Sequence, residues 1–356
     1  MRTGRADLPL HGGRAPAYLF GRMTQLAREI SLAVVHEEGP TGMFKRLSDP
    51  FWFQAFGCVL GFDWHSSGVT TTTCGALKEG LKGLEGDVGF AVAGGKGKTS
   101  RRTPAEIEAT CEGWGEDPAP LVAASRLSAK VDSSAVQDGF QIYHHTFLFT
   151  PAGEWAVVQQ GMDEKSGMAR RYHWLTPPRF DNDPHEAVTE RAQGEVLNLV
   201  AGEAEGNRSV ATELAREHPE KIGHELRQMQ SLAMPRRHEL RLADLDPKRI
   251  ERVLLPAYEA QPSTFTDLLS VKGVGAKGLR ALALVAELTY GEPVSVRDPA
   301  SFSYAHGGKD GTPFPVDRKT YDATIESLRE TVRAAKMGNN ERRDAMKRLG
   351  RVEARA

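Results

Sequence analysis

Apolar residues recur at helical spacing over residues 14–36, through Tyr18, Phe20, Met23, Leu26, Ile30 and Val34, and predict a first amphipathic helix. Phe51–Phe62 is aromatic and apolar until Asp63-Trp64-His65-Ser66-Ser67-Gly68 breaks the pattern. A helix is expected near Ala76–Leu84 and a buried strand over Val88–Ala93. Thr103-Pro104-Ala105-Glu106 reads as a helix start, with a threonine cap, a proline at the first helical position and a glutamate three after the cap. The period then changes. Gly139–Phe149 alternates and is rich in aromatics, Pro151-Ala152-Gly153 supplies a turn, and Glu154–Gly161 returns, so these residues predict a β-hairpin. Tyr172–Leu175 adds a strand that Pro177-Pro178 ends, and from Glu186 onward the chain reads as helical, punctuated by prolines. The expected fold is α+β: a mixed domain over 1–180 with antiparallel strands, and an all-helical domain over 181–356.

The second half holds the sharpest local pattern, Ser263–Gly291, which predicts two short helices joined by Lys272-Gly273-Val274-Gly275-Ala276-Lys277. Thr264 caps the first helix, with Asp267 three residues on, and Gly291 stops the second. The segment resembles a helix-hairpin-helix motif, in which the GxG turn and the following helix N-terminus hold a nucleic-acid phosphate. The physics is general: free N–H groups at the positive end of a helix attract an anion, and lysines add charge. Lys272, Gly273, Gly275 and Lys277 are therefore candidate nucleic-acid contacts. A packing turn between two helices is the plain alternative.

Charge modifies this picture locally. The chain has a net charge of −1, which by itself argues against a polyanionic partner. Yet residues 329–356 carry nine Lys/Arg against four Asp/Glu, and Lys96, Lys98, Arg101 and Arg102 lie in the glycine-rich loop GGKGKTSRR. Such patches, rather than overall charge, make an electrostatic footprint for phosphate. The loop lacks the spacing of a P-loop, so nucleotide hydrolysis is not read from it. Arg171, in Arg170-Arg171-Tyr172-His173-Trp174, mixes cation with aromatic and is a further candidate contact for unpaired bases. No apolar run approaches the roughly 20 residues that span a bilayer. Three cysteines without a CxxC argue against a disulfide framework or a cysteine-rich zinc site, and a reducing cytoplasm is the expected setting.

Candidate chemistry concentrates on the predicted hairpin. Asp132, Asp138, His145, Glu154 and Gln159 are the candidate catalytic residues; Asp63, His65, Asp132, Asp138 and His145 are candidate ligands for a divalent metal, Mg²⁺ or Mn²⁺, which would neutralise phosphate and activate water. His144 and His145 are adjacent on a strand, so at most one faces a given site. The pattern departs from that of restriction-type nucleases, because glutamine stands where an acid is wanted and Trp155–Gly161 has no lysine.

Several long phrases together, among them DWHSSGVTTTTCGALKEGL, AGGKGKTSRRTP, KVDSSAVQDGFQIYHHTF and FSYAHGGKDGTPFPVD, resemble the family called domain of unknown function seven hundred and sixty-three, found in bacteria and archaea. The likeness covers nearly the whole chain but implies no chemistry. The leading expectation is thus a DNA-repair or processing protein that binds nucleic acid, DNA in particular, and hydrolyses phosphodiester bonds with a metal. One alternative is a helix-hairpin-helix glycosylase using Asp298, which follows Lys277 by twenty-one residues although Pro299-Ala300 replaces that superfamily's threonine-histidine. The other is a non-catalytic DNA-binding scaffold.

Overall fold

The computed structural model describes residues 17–62, 67–231, 242, 245–301, 318–335 and 337–355. Helix α1 (Ala17–Ser48) buries Met23, Leu26, Ile30 and Val34, the stripe legible in the sequence. It kinks where Gly39 takes a positive φ of 71° ahead of Pro40. Asp49 accepts hydrogen bonds from the amides of Phe51 and Trp52 and so caps α2 (Pro50–Leu60), every residue of which is buried. Helices α3 (Gly68–Leu81) and α4 (Glu85–Val88) follow.

The strands are β1 (Ala91–Lys96), β2 (Val136–Gln137), β3 (Gln141–Phe149), β4 (Trp155–Asp163), β5 (Met168–Leu175), β6 (Ala187–Val188) and β7 (Leu197–Asn198). Five of them make an antiparallel sheet in the order β1-β3-β4-β5-β6, and β2 pairs with β7 beside it. Between β1 and β2 lie a 3₁₀ turn (Gly97–Arg102), helices α5 (Thr103–Trp114) and α6 (Ala119–Lys130), and a π-turn (Val131–Ala135). Then come α7 (Glu205–Ala215), α8 (Pro219–Gln230), α9 (Pro247–Ala260), α10 (Phe265–Ser270), α11 (Ala276–Tyr290), α12 (Arg318–Ala334) and α13 (Asn339–Arg355).

The sheet is covered on both faces. Phe147, Phe149, Trp155, Val157, Tyr172 and Trp174 join one core, shared with α5–α11. Their neighbours Leu148, Ala156 and Val158 join the other, built with α1–α3 and closed by Leu328 and Val332 of α12 and Ala345 and Leu349 of α13. The fold is α+β with antiparallel strands, as the periodicities predict.

Four local expectations change. The strand expected over Val88–Ala93 begins at Ala91, because residues 85–88 form a helical turn closed by Gly89 in the left-handed conformation. Thr103 is inside α5 rather than capping it, its hydroxyl donating to the Ser100 carbonyl, and Glu106 instead accepts from the amide of Gly94 at 2.7 Å. The chain past Glu186 is not yet helical: β6 hydrogen-bonds to β5 and β7 to β2 before α7 begins. Residue 180 is accordingly no packing boundary, since one apolar core runs from Ala91 through Val188 to Ala286. Among the described residues no helix is long and apolar enough to cross a membrane.

Candidate nucleic-acid interface

The segment 263–291 forms two helices about a glycine turn. Thr264 Oγ1 accepts from the Asp267 amide at 3.0 Å while Asp267 Oδ2 accepts from the Thr264 amide at 2.9 Å, a reciprocal box that fixes the start of α10. Gly273 holds φ at +97°, which a side chain would strain. Val274 is buried and anchors the turn, whereas Lys272 and Lys277 are exposed. Gly275 precedes α11 in an extended conformation, and no side chain caps that helix. The first amides of α11 thus lack intrahelical acceptors, and the residue at its N-cap, a glycine, has no side chain to cap them.

Polar groups from the body of the protein take the turn's carbonyls instead. Lys130 Nζ at the end of α6 donates to the Val274 carbonyl, and Gln137 Nε2 of β2 donates to that of Ala276 at 2.8 Å. Burial pulls the Lys130 ammonium below its usual range, so that hydrogen bond does useful compensation. Carbonyls tied inward and amides uncapped at the helix start give the turn an electropositive outer side.

The other basic candidates divide. Lys96, Lys98, Arg101 and Arg102 are exposed at the end of β1 and along its 3₁₀ turn, packed among β1, β3 and α5 rather than on the hairpin helices. Arg171 is fully buried and cannot meet a nucleic acid, because β5 is covered on both faces. Its guanidinium donates to Gln54 Oε1, Thr70 Oγ1, the Pro50 carbonyl and His173 Nε2, and lies 4.4 Å over the Phe53 ring. The basic C-terminal segment also divides: α13 packs on α2, with Arg348 Nε donating to the Val59 carbonyl at 2.7 Å, whereas Arg343 and Lys347 of the same helix are exposed.

Of the candidate catalytic residues, Asp132, His145 and Gln159 converge, but inside the protein. His144, Gln160 and Arg171 are in register across β3, β4 and β5, as are His145, Gln159 and Tyr172 on the opposite face. Each face of one end of the sheet therefore carries a buried polar layer. On the first core's side, His145 Nδ1 is 2.9 Å from Gln159 Oε1, an acceptor, which fixes the proton on Nδ1 and leaves Nε2 to accept from Ser125 Oγ at 2.9 Å. Gln159 Nε2 donates onward to Asp132 Oδ2 at 2.5 Å, where Trp174 Nε1 also donates at 2.9 Å, and His185 Nε2 lies 2.5 Å from Oδ1. The hydrogen bonds run in one direction, from Ser125 through His145 and Gln159 to the Asp132 carboxylate. Burial drives the imidazole of His145 down to about 4 and, with neighbouring positive charge, that of His144 to about 3.

Asp138 is a separate buried centre, accepting from Arg170 Nη1 at 2.8 Å, the Tyr172 hydroxyl at 2.7 Å and the Phe140 amide at 3.0 Å. Burial raises its carboxyl above the ordinary range. Asp298 pairs with the same arginine and accepts from the amides of Ala192 and Ala300, so its oxygens are engaged in holding a turn. Glu154 stands apart, exposed at the opposite end of β4 and accepting from Thr41 Oγ1. Among the described residues no three His, Cys, Asp or Glu side chains form a group able to hold a metal ion, and Asp63 and His65 lie outside those residues. The sequence reading missed His185, Ser125, Arg170, Gln54 and Thr70. The available signal was three polar doublets, His144-His145, Gln159-Gln160 and Arg170-Arg171, each near the same end of successive strands.

What emerges is an α+β protein whose two cores sandwich an antiparallel sheet and whose glycine turn presents an uncapped helix start. The chain belongs to the family described as Protein of unknown function (DUF763), which matches residues 4–316. No curated protein and no solved structure matches it.

Proposed function

We propose that this protein binds nucleic acid, DNA in the first place, with Lys272–Lys277 and the start of α11 gripping a backbone phosphate. One observation carries the reading: the turn's carbonyls are drawn inward by Lys130 and Gln137 while the first turn of α11, whose N-cap glycine offers no side chain, carries exposed Lys277 and follows exposed Lys272. The exposed cations at Lys96, Lys98, Arg101 and Arg102 are a second surface able to add charge. Binding to labelled single- and double-stranded DNA and to RNA, followed as salt rises, tests it. A phosphate grip weakens steeply with salt; salt-independent binding, or none to any of the three, ends the reading.

Metal-assisted phosphodiester hydrolysis, with Mg²⁺ or Mn²⁺, is the narrower second reading, and a single relationship favours it. Asp132 sits on the π-turn that packs against α11, so the Ser125–His145–Gln159–Asp132–His185 network stands directly behind the grip. The same network is buried and its carboxylate already accepts three donors, so a metal would have to displace Gln159 or Trp174. The arrangement therefore favours binding over cutting. The labelled substrates incubated with Mg²⁺, Mn²⁺ or EDTA decide between them in one gel: metal-dependent cleavage that Asp132→Asn removes establishes the enzyme, and intact strands throughout leave a binding protein.

A further inference from the structure

Helix α9 is seated against the back of the glycine turn. A Cβ built on Gly273 would meet Pro256 Cγ at 3.9 Å, and one on Gly278 would meet Val253 Cγ1 at 3.2 Å and Leu254 Cδ2 at 3.5 Å. In a helix, residues spaced by three, four and seven positions share a face. Arg252 and Arg249, four and seven residues before Pro256, thus project from the side of α9 that borders the turn, and both are exposed. Along the axis they lie about 6 Å and about 10 Å from Pro256, a span of about three nucleotides at roughly 3.4 Å of rise per strand.

Among the described residues neither guanidinium has an acidic partner. Three other exposed arginines do sit against an acid: Arg227 on Glu251 at 2.9 Å, Arg297 on Asp183 at 2.7 Å, Arg179 on Asp181 at 3.0 Å. No carboxylate lies within ion-pair distance of Arg249 or Arg252 among the described residues. Two acids are in line with them: Glu259 lies on the far side of Pro256, and Asp246, three residues before Arg249, is engaged in capping α9, where its side chain accepts from the amides of Lys248 and Arg249.

We infer that the nucleic-acid path continues from the Gly273–Gly275 turn along α9, with Arg252 and then Arg249 holding successive backbone phosphates. This rests on the turn being a phosphate grip, and the two are separable. Fluorescence anisotropy with the full chain and labelled 20-nucleotide DNA, single-stranded and duplex in separate arms, reads affinity across a salt series. The double variant R249A/R252A loses about tenfold or more in affinity, and the slope of log affinity against log salt falls by about two, one per phosphate contact. R249K/R252K restores most of both, since the charge is retained. R343A/K347A, which removes two exposed cations of α13 on the other core, changes neither. Whichever arm, single-stranded or duplex, shows the larger loss identifies the form that follows the path. Loss with Gly275→Asp, which puts a carboxylate at the grip, but not with R249A/R252A overturns the path and leaves the grip standing. Loss with R249A/R252A alone leaves the path and overturns the grip, equal loss with R343A/K347A overturns a defined path, and no binding by the wild type overturns both.

Discussion

Arg170 and Asp138 face each other at 2.8 Å with both side chains fully buried. A charge taken out of water is tolerated only while its partner is in place, and the Arg170 guanidinium already has one N–H, at Nε, without a hydrogen-bond partner. Asp138→Asn leaves that guanidinium short of its carboxylate and weakens the acceptor of the Tyr172 hydroxyl. The expected cost is about 3–5 kcal/mol, read as a lower urea midpoint at unchanged slope. The double variant D138L/R170M lies closer to wild type than D138N does, because the fully buried guanidinium goes with its carboxylate, while Asp298, partly exposed, keeps the amides of Ala192 and Ala300 as donors. A loss under about 1 kcal/mol for D138N would show that the pair does not hold β5 to the segment before β3.

Acid destabilises this protein through its histidines. His144, His145 and His173 are buried and neutral, with the first two pulled to about 3 and about 4 and the third well below the ordinary imidazole range, in each case chiefly by burial. The unfolded chain takes up those protons near pH 6.5 and the folded chain does not, so stability present above that value is lost as pH falls from about 6.5 towards 4. Each such histidine costs roughly 2 kcal/mol at pH 5 relative to pH 7. Asp138 has the opposite sign: its raised carboxyl binds a proton more readily when folded, so its contribution is largest at low pH and declines as pH rises through its folded value. Urea unfolding at pH 7 and pH 5 therefore shows a net loss in acid, and His145→Gln narrows the gap between the two. An unchanged gap would mean that His145 takes no part in it.

The layers of the fold were legible because each rests on local periodicity. The stripe from Met23 to Val34, the alternation of β3 and the Thr264–Asp267 box all depend on residues close in the chain. What sequence could not show is which strands are covered on both sides. Arg171 looks like a surface cation in Arg-Arg-Tyr-His-Trp, and only the helices packed over both faces of the sheet make it a buried hub. The Asp132 network was half visible: Asp132, His145 and Gln159 were all named, yet His185 reaches Asp132 across 53 residues of chain through a segment without regular structure. Its polar doublets were written plainly in the strands, and reading them required the register.

The cysteines should be chemically silent in the native state. Cys58, Cys74 and Cys111 are free and buried, and burial drives the Cys74 thiol up to about 12, which leaves almost no thiolate to react. Burial, with Glu116 and Asp117 nearby, raises Cys111 as well. Titration with a thiol reagent should find no rapidly reacting sulfur in the folded protein and three in denaturant. A fast-reacting thiol in the native protein would mean that α2, α3 or α5 opens far more readily than its packing allows.

The grip itself can be separated from the stability of the fold with one residue. Gly275 is extended, at φ −124°, and a Cβ there would have nothing within 4 Å, so Gly275→Asp fits without strain. An aspartate at that position caps the first amides of α11 and places negative charge at the positive end of the helix. Helix and protein therefore gain a few tenths to about 1 kcal/mol, visible as a small rise in the unfolding midpoint. Those amides are the ones a phosphate would use, and the carboxylate also repels it, so DNA affinity should fall by tenfold or more. A packing turn predicts something else: the same gain in stability with DNA binding unchanged. Stability and affinity moving in opposite directions is the signature of a helix start kept uncapped for an anion, and affinity unmoved by Gly275→Asp would return Lys272–Lys277 to the role of a simple connection between two helices.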